Sequence, residues 1–354
     1  MISVFDRADH RPGGVMSACR EPRDDATLML PPAFEETRGS HMTAHPSLPS
    51  WRDTRTRRDI EAFVASVTSG PDAVPVEERI AVFDNDGTLW SEKPMITQLH
   101  FVVEQWRAAA ERQPELAERQ PYLAAVSGDF AWLGAAIDKH YGGDDSDLGI
   151  IIQALVGLTD GMSVEDYATS VAEFYRTAQH PTLQRPYAET VYQPMVELLR
   201  FLEHHGFTCY IVSGGERDFM RPMTQANYGI PPERVVGSAF GLAWDDAEAT
   251  VRYSSSLAFF DDGPEKPIRI WTRIGRRPLF VGGNSNGDTA MMDFARRGPR
   301  PGFALLVHHD DPSRGDIPYD AGAEKALADA ADKGYTVVSV RDDWEQVFPD
   351  SARA

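Results

Sequence analysis

Short, strongly apolar runs recur along the chain at 79–84, 208–212, 278–281, 303–307 and 335–340, and helical patterns separate them. Runs of this length, without the alternation of a half-exposed strand, predict parallel strands buried on both faces under layers of helix. Helices are expected at 55–68, where Ile60, Phe63, Val64 and Val67 share a face before Gly70-Pro71, and at 188–205, 216–228 and 320–333. A shorter strand is expected near Val235-Val236, and the polar stretch 240–256 has the make-up of a hairpin. One region breaks the alternation. From 95 to 188 the periodicity is helical almost throughout, with Leu99, Val102, Val103 and Trp106 on one face and Val164, Tyr167, Val171 and Phe174 on another. Within it, Ser163 and Asp166 have the spacing of a helix N-cap. The fold class expected is therefore α/β: a parallel sheet formed by 46–94 and 189–354, with 95–188 inserted as a helical second domain. Residues 1–45 carry scattered Pro, Gly, Arg and Asp without period and read as a disordered extension.

The chain of 354 residues is long enough for two domains and a large core. Its net charge of −19 argues against a nucleic-acid-binding surface, which needs a basic face. The same charge means that an anionic substrate would need local cations, and only five lysines are present. Two cysteines, Cys19 and Cys209, make neither a disulfide framework nor a zinc pattern, and Cys209 reads as a small core residue. No stretch has the length of a membrane span, and the first residues lack the design of a signal peptide, so a reducing cytoplasm is the expected compartment.

Three of the apolar runs end in polar turns that contain glycine: Asp84-Asn85-Asp86-Gly87-Thr88, Ser213-Gly214-Gly215, and Gly282 to Asp288. In an open α/β sheet, ligands sit at the carboxyl ends of the strands, so all three turns are expected on one rim. Asp84 and Asp86 at i, i+2 are costly neighbours, because like charges that close raise each other's pKa unless a cation lies between them. Alone, the segment fits either a nucleophile and an acid/base sharing a hard metal ion, or an Asp-rich turn closed by Gly87. His308-His309-Asp310-Asp311 follows a strand but lacks further ligands at useful spacing, and reads as a polar loop.

Taken together, these turns resemble the haloacid dehalogenase superfamily, in its phosphoserine-phosphatase-like branch with a helical cap. Asp84, Asp86 and Thr88 match its Asp-x-Asp-x-Thr motif after an apolar strand. Ser213 matches the Ser or Thr that ends the next core strand, Lys266 the lysine motif, and Asn284 with Asp288 the final acidic pair. The core resemblance covers about 79–94 and 190–300, and it implies a Rossmann-like core with 95–188 as the cap. One position departs from the pattern: residue 284 is Asn where the family usually has Asp, which implies weaker metal binding.

The resemblance implies a role for each residue. Asp84 is the expected nucleophile and Asp86 the acid/base. Lys266 holds the transferred phosphoryl group, while Thr88, Ser213 and the N–H groups of Gly214 and Gly215 bind phosphate at a helix start. Asp84, Asp86 through its carbonyl, Asn284 and Asp288 are the expected ligands of Mg²⁺. The activity implied is Mg²⁺-dependent hydrolysis of a small phosphorylated metabolite through an aspartyl-phosphate. A phosphotransferase or phosphomutase with the same intermediate, and a non-catalytic protein that kept the fold, are the alternatives. Neither nucleic acid nor membrane is an expected partner, and oligomeric state is not legible.

Overall fold

A computed structural model describes residues 48–141 and 143–350. The extension expected at 1–45 lies outside them. Seven strands make one sheet: β1 (Ile80–Phe83), β2 (Thr208–Glu216), β3 (Val235–Asp245), β4 (Thr250–Phe259), β5 (Phe280–Gly283), β6 (Phe303–His308) and β7 (Thr336–Ser339). Their order is β4-β3-β2-β1-β5-β6-β7, so β1 is central. All neighbours pair in parallel except β3 and β4, which form the hairpin expected from 240–256. Side chains alternate between two apolar clusters. Ala81 and Phe83, Cys209 and Ile211, Phe280, and Leu305 face one cluster; Ile80 and Val82, Val212, Val281, and Leu306 face the other. Both faces of the central strands are thus covered, which is why β1, β5 and β6 carry almost no polar residues. Cys209 is a buried free thiol in this core.

The helices are α1 (Arg55–Thr68), α2 (Thr97–Arg112), α3 (Tyr122–Ser127), α4 (Ala131–Tyr141), α5 (Ser146–Thr159), α6 (Val164–Thr177), α7 (Gln193–His204), α8 (Arg217–Tyr228), α9 (Glu265–Ile274), α10 (Thr289–Arg296), α11 (Glu324–Lys333) and α12 (Val340–Asp343). Helix α1 runs as its periodicity requires, and Ser163 caps α6 by accepting from the Asp166 N–H at 3.0 Å. Helix α7 begins at 193 rather than 188, because Pro194 favours the first turn and sets the start there. Helix α9 is absent from the periodicity reading. Pro264 and Pro267 punctuate its start and look like loop residues, but the first turn of a helix tolerates proline. The five helices α2–α6 lie between β1 and α7 in sequence, and their apolar faces join the cluster on the α1, α7 and α8 side of the sheet.

Candidate active site

The central strand β1 delivers its last residue straight into the site. Asp84 follows Phe83, is buried at 6 % exposure, and donates its N–H to the Gly282 carbonyl of β5 at 3.0 Å. The Lys266 ammonium, from the first turn of α9, donates to Asp84 Oδ1 at 2.8 Å and to Asp288 Oδ1 at 2.6 Å. Asp288 in turn is oriented by its other oxygen, which accepts from the N–H groups of Asn284 and Ser285 at 2.9 Å each and from the Ser285 hydroxyl at 3.1 Å. Three residues 182 and 22 positions apart are thus brought into one buried cluster. It holds two carboxylates and one ammonium, which leaves one negative charge uncompensated. Burial, against the pull of Lys266 and with the push of Asp288, drives the Asp84 carboxyl well above its ordinary range. Lys266 remains charged, because the two carboxylates outweigh the burial that disfavours its ammonium.

Asp86 stands on the turn beyond Asp84. Its Oδ1 accepts from the Trp90 indole N–H at 2.8 Å, and burial, with the charge of Glu92, pushes its carboxyl up to about 7. The Thr88 hydroxyl is fully buried and donates to Asn284 Oδ1 at 3.0 Å. The Asn284 amide donates to the Tyr319 hydroxyl at 3.1 Å and to Glu92 at 3.4 Å. Ser213 is buried at the rim, and its Oγ accepts from the Gly215 N–H at 3.2 Å. Gly215 also lies beside Asp86: a methyl group there would stand 3.5 Å from Asp86 Oδ2. The first and second turns therefore meet, as do the first and the last.

One expectation about this rim needs correction. Gly214 and Gly215 do not open a helix. Strand β2 continues to Glu216 with a register shift between Ser213 and Glu216, and α8 starts at Arg217. The cap is Glu216, whose carboxylate accepts from the N–H groups of Asp218 and Phe219 at 2.9 and 2.7 Å. The acceptor that fills the helix end is thus part of the chain itself, and Ser213 with the bulged glycines precedes it.

Further residues near the rim are placed too. Arg217 and Arg221 both pair with Asp218, so they are tied in an ion-pair cluster. Gln98 of α2 accepts from the Glu216 N–H at 2.8 Å, linking the helical insertion to the β2 turn. Trp90 is buried and its indole N–H orients Asp86. Lys93 lies 4.5 Å over the Tyr319 ring. His308 and His309 are paired separately, with Asp320 and Asp316, so they form no common site. Tyr319 and Asp262 carried no signal in the sequence. Asp262 reaches the rim, where a methyl group on Gly287 would come within 2.5 Å of its Oδ1.

The donor set suits a hard divalent cation. Every candidate ligand atom is an oxygen, and the buried cluster has an excess negative charge for a cation to neutralise. Among the described residues, no group of three or more His, Cys, Asp and Glu side chains could hold a metal by themselves. A site here would therefore use the carboxylates of Asp84 and Asp288 with neutral oxygens and water, the sparse coordination that Mg²⁺ accepts.

Comparison with known proteins gives the family. The profile of the haloacid dehalogenase-like hydrolases matches residues 81–293, a span that begins in β1 and ends in α10. A conserved protein of unknown function from Anaerococcus prevotii is 16 % identical, with a TM-score of 0.50 over 80 % of this chain and 91 % of its own. A protein of unknown function from Bordetella pertussis is 16 % identical, with a TM-score of 0.47 over 74 % of this chain and 98 % of its own. A probable phosphoserine phosphatase from Vibrio cholerae is 13 % identical, with a TM-score of 0.36 over 74 % of this chain and 68 % of its own. None of the curated proteins matches the chain by sequence. The profile match spans more than half of the 354 residues, and the chain belongs to the haloacid dehalogenase-like hydrolase family.

Proposed function

We propose that this protein is a Mg²⁺-dependent phosphatase that hydrolyses a small phosphomonoester through an aspartyl-phosphate on Asp84. The observation that carries the reading is the buried Asp84–Lys266–Asp288 cluster at the carboxyl end of the central strand. An Asp84 oxygen attacks phosphorus and the ester oxygen leaves with its electron pair. Asp86, whose carboxyl sits at about 7, supplies the proton that the leaving alkoxide needs. In the second half, Asp86 takes a proton from the attacking water, and Asp84 is released with inorganic phosphate. Lys266 and the Ser213 hydroxyl hold the charged phosphoryl oxygens. Asp84, the Asp86 carbonyl, Asn284 and Asp288 would hold Mg²⁺, which supplies charge neutralisation between nucleophile and phosphate. The segment 95–188, with helices α2–α6, serves as the cap that closes over a small substrate, and Gln98 is its tie to the site.

The test is phosphate release from an aryl phosphate and from a panel of phosphorylated metabolites, with Mg²⁺ and with a chelator. Wild type should turn over only with the metal, and Asp84→Asn should lose about 10³-fold or more, as expected for removal of a nucleophile. Transfer of the phosphoryl group to an added alcohol in preference to water would identify a phosphotransferase. No phosphate release from any substrate would overturn the reading.

A further inference from the structure

Behind the Asp86 turn lies a buried imidazole that the reaction above does not use. His309, just past β6, is 2 % exposed. Its Nε2 lies 2.7 Å from the Gly87 carbonyl, and its Nδ1 lies 2.6 Å from Asp316 Oδ2. The other Asp316 oxygen accepts from the Tyr192 hydroxyl at 3.0 Å. A carbonyl can only accept, so Nε2 carries a hydrogen. The hydrogen-bond pattern therefore turns Nε2–H toward the Gly87 carbonyl and sets Nδ1 against the Asp316 carboxyl. The Tyr319 ring stacks on it at 4.7 Å and 11°, and the Tyr319 hydroxyl accepts from Asn284.

Gly87 is the hinge of the turn between Asp86 and Thr88. Its φ is +71°, and a methyl group there would stand 2.1 Å from the Asn284 amide nitrogen and 2.7 Å from the Tyr319 hydroxyl. Its N–H is already given to the Trp90 carbonyl at 2.9 Å. With its carbonyl on His309, both backbone groups of Gly87 are anchored, one on each side of the turn. We propose that His309, supported by Asp316, is a positioning residue that clamps the Gly87 carbonyl and thereby sets Asp86 and Thr88 for phosphoryl transfer. The catalytic part of this statement rests on the phosphatase reading. The groups facing His309 are Asp316, the rings of Tyr192 and Tyr319, and the charge of Glu92. Burial works against its charge, but Asp316, the Gly87 carbonyl and Glu92 outweigh it, and the imidazole is raised above its ordinary range.

Three measurements on the full chain test the clamp. The first is the nitrogen NMR spectrum of the histidine rings at pH 8, with His309 assigned through the signal missing in His309→Gln. Nε2 should carry its hydrogen, shifted by the bond to the Gly87 carbonyl, in wild type. The second is amide hydrogen exchange. His309→Leu should accelerate exchange across 84–90 while leaving β5 unchanged, whereas a general loss of stability would speed both. The third is kinetics: His309→Leu should lower kcat by about 10–100-fold with KM little changed, the scale expected for a displaced catalytic group. His309→Gln, which can still present an N–H to Gly87, should recover most of that loss. An Nε2 without hydrogen at pH 8, unchanged exchange at 84–90, or an unchanged kcat in His309→Leu would each overturn the clamp. The spectrum and the exchange need no turnover. If wild type releases no phosphate, the phosphatase reading fails, and these two still decide whether His309 holds the turn.

Discussion

Asp86 and Asn284 are the residues whose surroundings make the sharpest demands on the proposed chemistry. The indole of Trp90 holds one Asp86 oxygen while burial and Glu92 keep the group easily protonated. Asp86→Asn keeps the shape and the indole contact but can neither give nor take a proton. Turnover should fall by about 10²–10⁴-fold, the usual contribution of a general acid–base. Because the second half-reaction also needs the base, rapid quench should show the phosphoenzyme accumulating with a substrate whose leaving group needs no acid. An unchanged kcat would remove Asp86 from its role. Asn284 poses the opposite question. Its oxygen accepts from Thr88, and its amide donates to Tyr319 and Glu92, so the neutral side chain knits the first and last turns together. Asn284→Asp would add a ligand charge but set a carboxylate against Glu92. We expect a lower Mg²⁺ concentration for half-maximal activity, together with a metal-free protein less stable by about 1–3 kcal/mol, the cost of spoiling a buried hydrogen-bond network. Metal titration and thermal unfolding with a chelator check the two halves separately. The substitution at 284 was visible in the sequence. Its partners were not, since Tyr319 and Glu92 reach it only through tertiary folding.

At the scale of elements, the strands and the rim were legible because buried parallel strands write themselves as apolar runs and the turns that follow must bend. Helix α9 was obscured by its two prolines, and the start of α8 by reading Gly214-Gly215 as a helix opening when these residues form a bulge. What sequence spacing could not show is that Glu216 caps α8 from a buried position, with 3 % exposure. Burial, reinforced by Asp218 and opposed by the two backbone N–H groups and Arg217, pushes its carboxyl up to about 8. An unfolded glutamate titrates near ~4.3. The folded state therefore holds a proton that the unfolded state has released between these values. The stability this contributes is complete below ~4.3 and is lost as pH rises toward 8. Glu216→Gln has no such titration. The wild type's advantage in Tm over Glu216→Gln should shrink between pH 5 and pH 8, by about 2–4 °C for each kcal/mol lost. Parallel Tm curves across that range would show that Glu216 stays ionised throughout.

For the molecule as a whole, the deciding quantity is the −19 net charge, set against the proposal that the site receives an anion. The cation at the centre, Lys266, is already shared between Asp84 and Asp288, and the arginines on α8 are held by Asp218. A phosphomonoester dianion approaching from solution thus meets a repulsive field before it meets Lys266. Salt screens that field: the Debye length falls from about 30 Å at 0.01 M to about 8 Å at 0.15 M. Contacts inside the buried site are screened far less. Raising ionic strength across this range at fixed free Mg²⁺ should therefore lower KM by about 2–5-fold, the modest end of electrostatic steering run in reverse, and leave kcat unchanged. The effect should track substrate charge. A phosphate monoester loses its second proton near pH ~6, so the salt dependence should be roughly halved at pH 5, where the monoanion predominates. A KM that rises with salt would mean that the local potential at the mouth is positive despite the net charge, with lysines such as Lys93 drawing substrate in.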